Sequence, residues 1–314
     1  MKIFKYSIIA IAIYSTAAIA TGQADNECLH ELYSVNPNPE GYDHYKYAPQ
    51  LKIDKEQIEY QDGGFVSSLT PNYNYNTPLW VAYQINYYVS TRGSNYAPSR
   101  HKRLPWPNIK GLDSKRKNHQ PLDATYQNAP DKWTVGLFAP RGDMSRHSKA
   151  YGCNAHVYAN AAPFNKQLYH GIWRGLENYV SSLSNQYGRV WVTTGPIYEN
   201  KEIEYIGNAE NNEQLIGIPD KYFKVIIYEM GLNIHVLSFI YPNNNTKQKN
   251  YLSGNCQKDI VYDHSPFIVS LSDIEKATDL TFFPNITTDI TAVKDEKAQI
   301  LPTIKNRYKV GYCM

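Results

Sequence analysis

Short β-rich segments alternate with helix-forming segments along the chain, and this alternation constrains the fold more than any other feature. A helix is predicted over 171–180, where Ile172, Trp173, Leu176 and Val180 share one apolar face. Strands and helices interleave to the end, so one domain over 21–314 is expected, although 314 residues could also hold two. Strands are predicted at 79–85, 133–139, 156–159, 189–194, 222–228 and 234–241.

Turn and capping residues predict where several of these elements begin and end. The strand at 189–194 is expected to stop at Gly195-Pro196, and the last two strands are expected to form a hairpin around Gly231. Ser272 and Glu275 form a Ser-x-x-Glu pattern that predicts the start of a helix. Residues 21–75 show little periodicity, which predicts a loop-rich segment.

The N-terminus has the pattern of a secretory signal peptide. Lys2 and Lys5 precede an apolar run at 8–14, and Ala18-Ile19-Ala20 is an Ala-x-Ala cleavage signal. We predict a signal peptide at 1–20 and a secreted or periplasmic protein; the alternative, an N-terminal anchor, has a short run for a membrane span. Cleavage would leave 30 basic against 29 acidic residues, a net charge of +1. No later run approaches the ~18 apolar residues of a span, so the exported part should be soluble, without a membrane partner.

The chain has four cysteines, Cys28, Cys153, Cys256 and Cys313, all in the part predicted to be exported. An oxidising compartment favours two disulfides, and three pairings are open. Zinc ligation is the alternative, but no two of the cysteines have Cys-x-x-Cys spacing.

A basic segment at 92–117 carries eight Lys and Arg residues against the single acid Asp113. Such a run is either a solvated face or a phosphate-binding edge, and composition does not separate the two. In the second case Arg100 and Arg103 are the leading candidates for phosphate contacts, and exposed tyrosines could stack on bases.

Seven short segments stand out along the sequence: LWVAY at 79–83, GLFAPRGDM at 136–144, NAAP at 160–163, GIWRGLE at 171–177, VTTGPIY at 192–198, IPDKYFKV at 218–225 and DIEKATDL at 273–280. In this order they resemble the DNA/RNA non-specific endonuclease family, the ββα-metal nucleases. Each is weak alone, but together they cover about residues 75–290. The resemblance implies an α+β fold with a central, mainly antiparallel sheet flanked by helices and long loops.

The family's chemistry uses few residues, and the sequence departs at two of them. In the family, a His ending an Asp-Arg-Gly-His motif takes a proton from water, and an Asn on the next helix binds Mg²⁺. Matching Thr134-Val135-Gly136-Leu137 to that motif puts Leu137 at the base and keeps the following Phe138-Ala139-Pro140 in register; matching Pro140-Arg141-Gly142-Asp143 puts Asp143 there. We prefer the first placement. Tyr169 stands at the Asn position, and a phenol is a poor ligand for a hard cation.

Other family roles and their substitutes can be assigned to this sequence. Glu177 matches the Glu that steadies the metal's waters, and Arg141 is a candidate for phosphate contact. His147 and His170 are candidate replacement bases, although His170 should point away from the Asn position because adjacent helical residues are ~100° apart. Asn165 is a weak candidate cation ligand.

Three functional hypotheses follow. The preferred one is a secreted nucleic-acid-binding protein whose catalysis is lost or strongly impaired. The second is an active endonuclease that uses Mg²⁺ and a relocated base on DNA or RNA. The third is a protein-interaction module on a nuclease scaffold. The resemblance also implies the disulfides Cys256–Cys313 and Cys28–Cys153, and it allows a homodimer.

Overall fold

The computed structural model describes a set of ranges that covers most of the family-like region. The predicted leader, all four cysteines, His147 and the basic segment 92–117, with Arg100 and Arg103, lie outside these ranges. The described residues are 43, 46–52, 58–61, 65–69, 75–86, 122–146, 151–152, 155, 158–200, 202–211, 213–245, 250–252, 260–284, 290–299 and 301–304.

Strands and helices alternate along the described ranges. The strands are β1 Gln50–Leu51, β2 Ile58–Gln61, β3 Phe65–Leu69, β4 Trp80–Asn86, β5 Trp133–Leu137, β6 Ala161–Asn165, β7 Arg189–Ile197, β8 Tyr205–Ile206, β9 Ile216–Gly217, β10 Lys221–Met230, β11 Asn233–Pro242, β12 Asn250–Leu252, β13 Ile260–Tyr262, β14 Ile268–Val269 and β15 Leu280–Thr281. The α-helices are α1 Leu122–Asn128, α2 Arg141–Met144, α3 Lys166–Leu168, α4 Arg174–Tyr187, α5 Leu271–Thr278 and α6 Thr291–Asp295, and a π-helical turn, Tyr169–Trp173, joins α3 to α4.

A seven-stranded antiparallel sheet forms the centre, in the order β14-β11-β10-β7-β4-β3-β2. One apolar cluster joins Leu176 and Val180 of α4 to Val192 and Ile226 of the sheet. A second cluster joins Ile274 of α5 to sheet residues that alternate with those of the first. Because helices cover both faces, β7 and β10 are buried along nearly their whole length. The predicted α+β class and central antiparallel sheet are confirmed.

The structure corrects several element boundaries. The segment 21–75 is not purely loop-rich, because β1, β2 and β3 lie in it and two of them join the central sheet. No strand forms at 156–159 among its described residues; a 3₁₀ turn at 158–160 leads into β6. The β10–β11 hairpin is confirmed, with Gly231 and Leu232 in its turn.

Two local signals act a few residues away from their predicted positions. β7 continues through Gly195 and Pro196 to Ile197, since a Cβ on Gly195 would lie 2.5 Å from Leu79 O and the glycine permits this close approach. Helix α5 is capped by Ser270, which accepts from Asp273 N–H, so the capping box starts two residues before the predicted Ser272.

Candidate active site

The β5–β6 ribbon positions Leu137, the residue predicted to stand at the family's base position. Leu137 ends β5 and pairs with Ala161 of β6. The segment after Leu137 is fixed by the buried side chain of Asn160, whose Oδ1 accepts from Ala139 N–H at 2.7 Å and whose Nδ2 donates to Ala139 O at 2.9 Å. The backbone around Leu137 is therefore fixed by its pairing with β6 and by the hydrogen bonds of Asn160 to Ala139.

The two substituted positions, Leu137 and Tyr169, are in direct contact. The Leu137 N–H donates to the Tyr169 hydroxyl oxygen, with a nitrogen–oxygen distance of 3.1 Å. Tyr169 lies in the π-helical turn, 32 residues away along the chain. We call this pair and its surroundings the candidate site. Under the preferred placement of the motif, the fold therefore brings both substituted positions together, as is expected of residues that share a reaction centre.

Aromatic rings fill the space around the candidate site. The Phe164 ring lies 5.1 Å from the Tyr169 ring and stacks on Tyr222 at 3.7 Å. Gly136 lets Phe164 approach, because a Cβ there would come 2.1 Å from the Phe164 ring. Leu137 is only 9% exposed and belongs to the same apolar cluster. The site is therefore apolar where proton transfer would need a titratable group.

The residues of the candidate site do not fit a Mg²⁺ ion. Magnesium prefers carboxylate, carbonyl and water oxygens in octahedral geometry. Tyr169 supplies a neutral phenol whose oxygen accepts the Leu137 N–H, and Leu137 supplies no donor atom. The part of the chain that the structure describes contains no group of three or more His, Cys, Asp or Glu side chains arranged to hold a metal.

A buried charged cluster lies beside the candidate site, between α2, α4 and β10. Asp143 of α2 accepts a hydrogen bond from Ser181 Oγ and lies 3.6 Å from Arg146 Nε, both side chains being nearly inaccessible. Burial raises the pKa of Asp143, although Arg146 and Ser181 act in the opposite direction. The Asp143 carboxylate is therefore engaged inside the protein rather than presented to a substrate.

Glu177 and Lys224 complete the charged cluster. Lys224 of β10 is fully buried; its Nζ lies 4.0 Å from Glu177 Oε1 and 4.4 Å from the centre of the Trp173 ring. Burial raises the pKa of Glu177 to about 7, against the attraction of Lys224. Burial also lowers the pKa of Lys224. Both shifts have one cause, since burial penalises each charge more than the pairing restores.

The other predicted site residues have different surroundings. Arg141 begins α2 half-buried; burial lowers its pKa, and its Nε has no hydrogen-bond partner among the described residues. His170 is exposed beside the Tyr169 ring. Asn165 lies opposite Trp133, at the far end of the ribbon from Leu137, and caps α3 by accepting from Gln167 N–H at 3.0 Å. Asn165 is therefore not part of the candidate site.

Two contributors to this region were missed by sequence reasoning. Phe164 gave no signal, because an aromatic residue in a strand is ordinary. Lys224 did give one: it is a single charge inside the run Tyr222–Tyr228, which is otherwise apolar or aromatic. A charge in a strand covered on both faces predicts a buried partner.

A sequence model of the DNA/RNA non-specific endonuclease family matches residues 47–289, which is more than half of the chain. The chain belongs to the DNA/RNA non-specific endonuclease family. The family is one of metal-dependent nucleases, typically with Mg²⁺. Leu137 and Tyr169, which the motif placement predicts to stand at the family's base and metal-ligand positions, are the two residues in contact at the candidate site.

Named relatives in the family come from both mitochondria and bacteria. The chain is 28% identical to the mitochondrial nuclease EXOG of Xenopus laevis, covering 68% of this chain and 55% of the relative. It is 32% identical to mitochondrial endonuclease G of Bos taurus, covering 55% of each protein. It is 26% identical to a nuclease of Serratia marcescens, covering 72% of this chain and 75% of the relative. The chain thus spans about half the length of the mitochondrial relatives.

The described residues include no helix with both the length and the apolarity needed to cross a bilayer.

Proposed function

We propose that this protein is an exported, nucleic-acid-binding member of the non-specific endonuclease family in which hydrolysis is lost or strongly impaired. The observation that carries the proposal is the contact between Leu137 and Tyr169, 3.1 Å from nitrogen to oxygen, at the family's base and metal-ligand positions. The residues predicted at these two positions lack the base and the metal ligand, and aromatic side chains fill the space around them.

Loss of hydrolysis follows from the chemistry of these side chains. Leucine cannot accept a proton, and a general base typically contributes 10²- to 10⁴-fold to the rate. The other placement of the motif, with Asp143 as base, offers no replacement because its carboxylate is buried against Arg146 and Ser181.

Nucleic-acid binding is supported by an unsatisfied cation near the candidate site. Arg141 is four residues beyond Leu137, so their Cα atoms are at most about 14 Å apart. Its guanidinium is only half-buried: Nε is inaccessible, so the remaining part of the group is the part suited to a phosphate oxygen. The basic segment 92–117, with Arg100 and Arg103, would extend this surface.

Plasmid nicking with Mg²⁺ and with EDTA tests the loss of hydrolysis. We expect no nicking over hours at micromolar protein in either condition. A Mg²⁺-dependent nicking activity that copurifies with the folded protein would reject the proposal.

A salt titration of binding to labelled DNA and RNA tests the binding function. The affinity should fall with salt, and the slope of log K against log salt should decrease by about one unit for each phosphate interaction that a substitution removes. Arg141→Ala should reduce the slope, whereas Lys221→Ala, at an exposed ion pair with Glu199, should not. Binding that ignores salt, or recovery of protein partners that nuclease treatment does not release, would favour a protein-interaction module instead.

A second candidate function, an active Mg²⁺-dependent endonuclease with a relocated base, is favoured by one observation. Burial raises the pKa of Glu177 to about 7, which is the range in which a carboxylate can exchange protons at neutral pH. In that case Glu177→Gln would abolish EDTA-sensitive nicking while leaving DNA binding intact. The same variant would be silent in both assays if the first proposal holds.

Export and disulfide formation complete the proposal. The pattern at 1–20 supports cleavage after Ala20, and the family resemblance supports the pairs Cys256–Cys313 and Cys28–Cys153. Intact mass and peptide mapping of the secreted or periplasmic protein, without reduction, would give both the N-terminus and the pairing. A full-length cytoplasmic product with free thiols would contradict this part.

A further inference from the structure

Strand β11 is covered along only part of its outer edge. β14 pairs with it at Ser238 and Phe239. Further along, the Tyr241 hydroxyl hydrogen-bonds His264 Nδ1 at 2.9 Å, so the segment before β14 covers the C-terminal half of β11. Residues 233–237, which we call the β11 edge, pair with β10 on one side and with no other strand in the part of the chain that the structure describes.

The β11 edge is mainly apolar and partly open to solvent. Ile234, His235 and Val236 are partly exposed, whereas Leu237 is buried like the β14-paired residues that follow it. An unpaired strand presents backbone N–H and C=O groups to solvent, and proteins usually protect such an edge with charged residues or prolines. The five residues of the β11 edge, which begins at Asn233, include no lysine, arginine, acid or proline. This composition indicates an edge that another segment covers.

The last described residues lead the chain towards the β11 edge. Residues 301–304 lie along α4, where Pro302 O accepts from the Tyr179 hydroxyl at 3.0 Å. Thr303 O accepts from Gln186 Nε2 at 3.3 Å. Because Gln186 comes after Tyr179 on α4, these contacts carry the chain towards the C-terminal end of the helix. The residues that follow position 304 therefore start from that end of α4.

An aromatic stack joins this end of α4 to the β11 edge. The Tyr187 ring, next to Gln186 in the chain, stacks on Tyr228 of β10 with 4.6 Å between the ring centres. Tyr228 in turn stacks at 5.0 Å on His235, its partner in the β10–β11 pairing. The place where Thr303 contacts α4 is thus joined to the β11 edge by neighbouring rings.

Strand directions determine how a segment arriving there pairs. α4 turns back at Gly188 into β7, and β7 and β11 both pair antiparallel with β10, so α4 runs opposite to β11. A chain that continues from Thr303 in the direction of α4 therefore passes the β11 edge antiparallel to it. β14 pairs with β11 in the same sense and ends at Val269, opposite Ser238, just before the β11 edge.

The C-terminal tail, residues 305–314, lies outside the described residues, but its sequence has the two-residue period of a strand. Tyr308, Val310 and Tyr312 alternate with Arg307, Lys309 and Gly311. Ile304 packs against the apolar cluster that contains Tyr228 and Leu237, and alternation from Ile304 puts the apolar tail residues on that same side. Residues 305–312 extend about 26 Å as a strand, enough for the roughly 17 Å of the five-residue β11 edge.

We propose that the C-terminal tail adds to the β11 edge as an antiparallel strand, which continues the line of β14 and closes this side of the central sheet. Main-chain hydrogen bonds hold the strand, and its apolar face extends the stack of Tyr187, Tyr228 and His235. The tail is the occupant because it starts beside the edge. A segment on a short linker has an effective concentration in the millimolar range, which favours it over a dilute partner strand.

Hydrogen–deuterium exchange of the full-length exported protein, kept unreduced and resolved to single amides, tests the proposal. Every second amide of the β11 edge points away from β10, and only a strand on the outer side protects these outward amides. We expect them, and the amides of tail residues 306–312, to exchange at least about tenfold more slowly than in an unfolded chain. The amides of β7 report on global unfolding in the same experiment.

Val310→Asn and Lys309→Asn are matched variants, because they put the same side chain on opposite faces of the proposed strand. Val310→Asn removes an apolar contact with the stack and should speed exchange of the outward amides about tenfold, while β7 stays protected. Lys309→Asn should change that exchange by no more than about twofold, since it leaves the apolar face intact.

Three results would overturn the proposal. Outward amides that exchange as in an unfolded chain would mean that the β11 edge is uncovered and open to a partner protein. Protection that depends on protein concentration between about 1 and 100 µM would mean that a second copy covers it. Equal protection in the wild type and in both variants would mean that the apolar face of the tail is not involved. If Val310→Asn does not fold, the wild-type tail amides decide, because an unprotected tail rejects the strand.

Discussion

The candidate site and the charged cluster are neighbours on the same helical stretch, yet they have opposite character. The candidate site, built around Leu137 and Tyr169, is apolar and aromatic, and its polar atoms bond to each other. The charged cluster holds two carboxylates and two cations that are almost inaccessible to solvent. The family's chemistry needs charged and titratable groups at the candidate site, but this chain has its buried charges in the charged cluster.

The difference teaches how to interpret Glu177, which belongs to the charged cluster. Glu177 is predicted to match the family's Glu, but its nearest charged partner is the fully buried Lys224. Removing one member of a buried ion pair costs far more than the pair contributes, because the other charge is left uncompensated. The pairing with buried Lys224 is therefore by itself a sufficient reason for a glutamate at position 177.

The largest expected effect comes from making the candidate site polar again. The variant Leu137→His with Tyr169→Asn should raise Mg²⁺-dependent plasmid nicking about 100-fold or more over the wild type, since it returns a general base and an amide oxygen to the family positions. Each single variant should stay near the wild-type level. A double variant that folds normally and still does not nick would contradict the placement of these two positions.

The charged cluster can be broken by Lys224→Met, which should lower the free energy of unfolding by about 3 to 5 kcal/mol at pH 8. The folded-state pKa of Glu177 is raised above 4.5, so its contribution to stability is full below pH 4.5 and is lost as the pH rises through about 7. Without Lys224 this pKa rises further, so the defect should shrink towards pH 5.

Urea unfolding at pH 5 and pH 8 measures this effect. Lys221→Met is the control, because Lys221 is on the same strand but pairs with exposed Glu199, and it should change stability by no more than about 0.5 kcal/mol. Adding Glu177→Gln to Lys224→Met should recover much of the loss at pH 8. Equal defects for Lys224→Met at both pH values would be inconsistent with a buried Glu177 carboxylate as the cause.

Packing at the candidate site can be tested with two glycines. Gly136→Ala should cost about 1 to 3 kcal/mol, because its Cβ would come 2.1 Å from the Phe164 ring. Gly142→Ala, in α2 with nothing within 4 Å of its Cβ, should be neutral or slightly stabilising. Thermal melts of both variants decide the matter: similar melting temperatures would mean that Phe164 does not occupy the space beside Gly136.

The smallest effect is expected from Tyr169→Phe. Losing the hydroxyl leaves the Leu137 N–H without its acceptor and should cost about 1 kcal/mol. Urea unfolding gives the free energy, and the salt slope of DNA binding should be unchanged because the variant removes no group that binds phosphate. An unchanged stability would mean that this hydrogen bond is replaced by water.

Sequence reasoning predicted the features that local patterns encode. The apolar stripe of α4 and the β10–β11 hairpin were predicted because periodicity and turn residues specify them directly. Strands β2 and β3 were missed because they are short and gain their stability from pairing with β4, which is a tertiary effect. The Ser-x-x-Glu pattern at Ser272 misled because Ser270 offered an equivalent box two residues earlier.

The candidate site was predictable only in part, for a similar reason. Its two substituted positions follow from motif register, which is linear information. Their mutual hydrogen bond, the filling by Phe164 and the burial of Lys224 depend on how β5, β6, α4 and β10 pack, and spacing carries no such information. Arg100, Arg103 and the disulfide pairs lie outside the described residues and stay predictions.

The position of β7 in the sheet has a consequence for synthesis and folding. β7 pairs with β10, about 25 residues later, and with β4, about 100 residues earlier. Contacts of high sequence separation form slowly because a long loop must close first. β4 is buried at six of its seven residues in the finished protein. Because β4 precedes β7 by about 100 residues, it leaves the ribosome long before β7 is synthesised. The nascent chain therefore carries an open, apolar sheet edge throughout that interval, and this edge is where chaperone binding during synthesis would matter most.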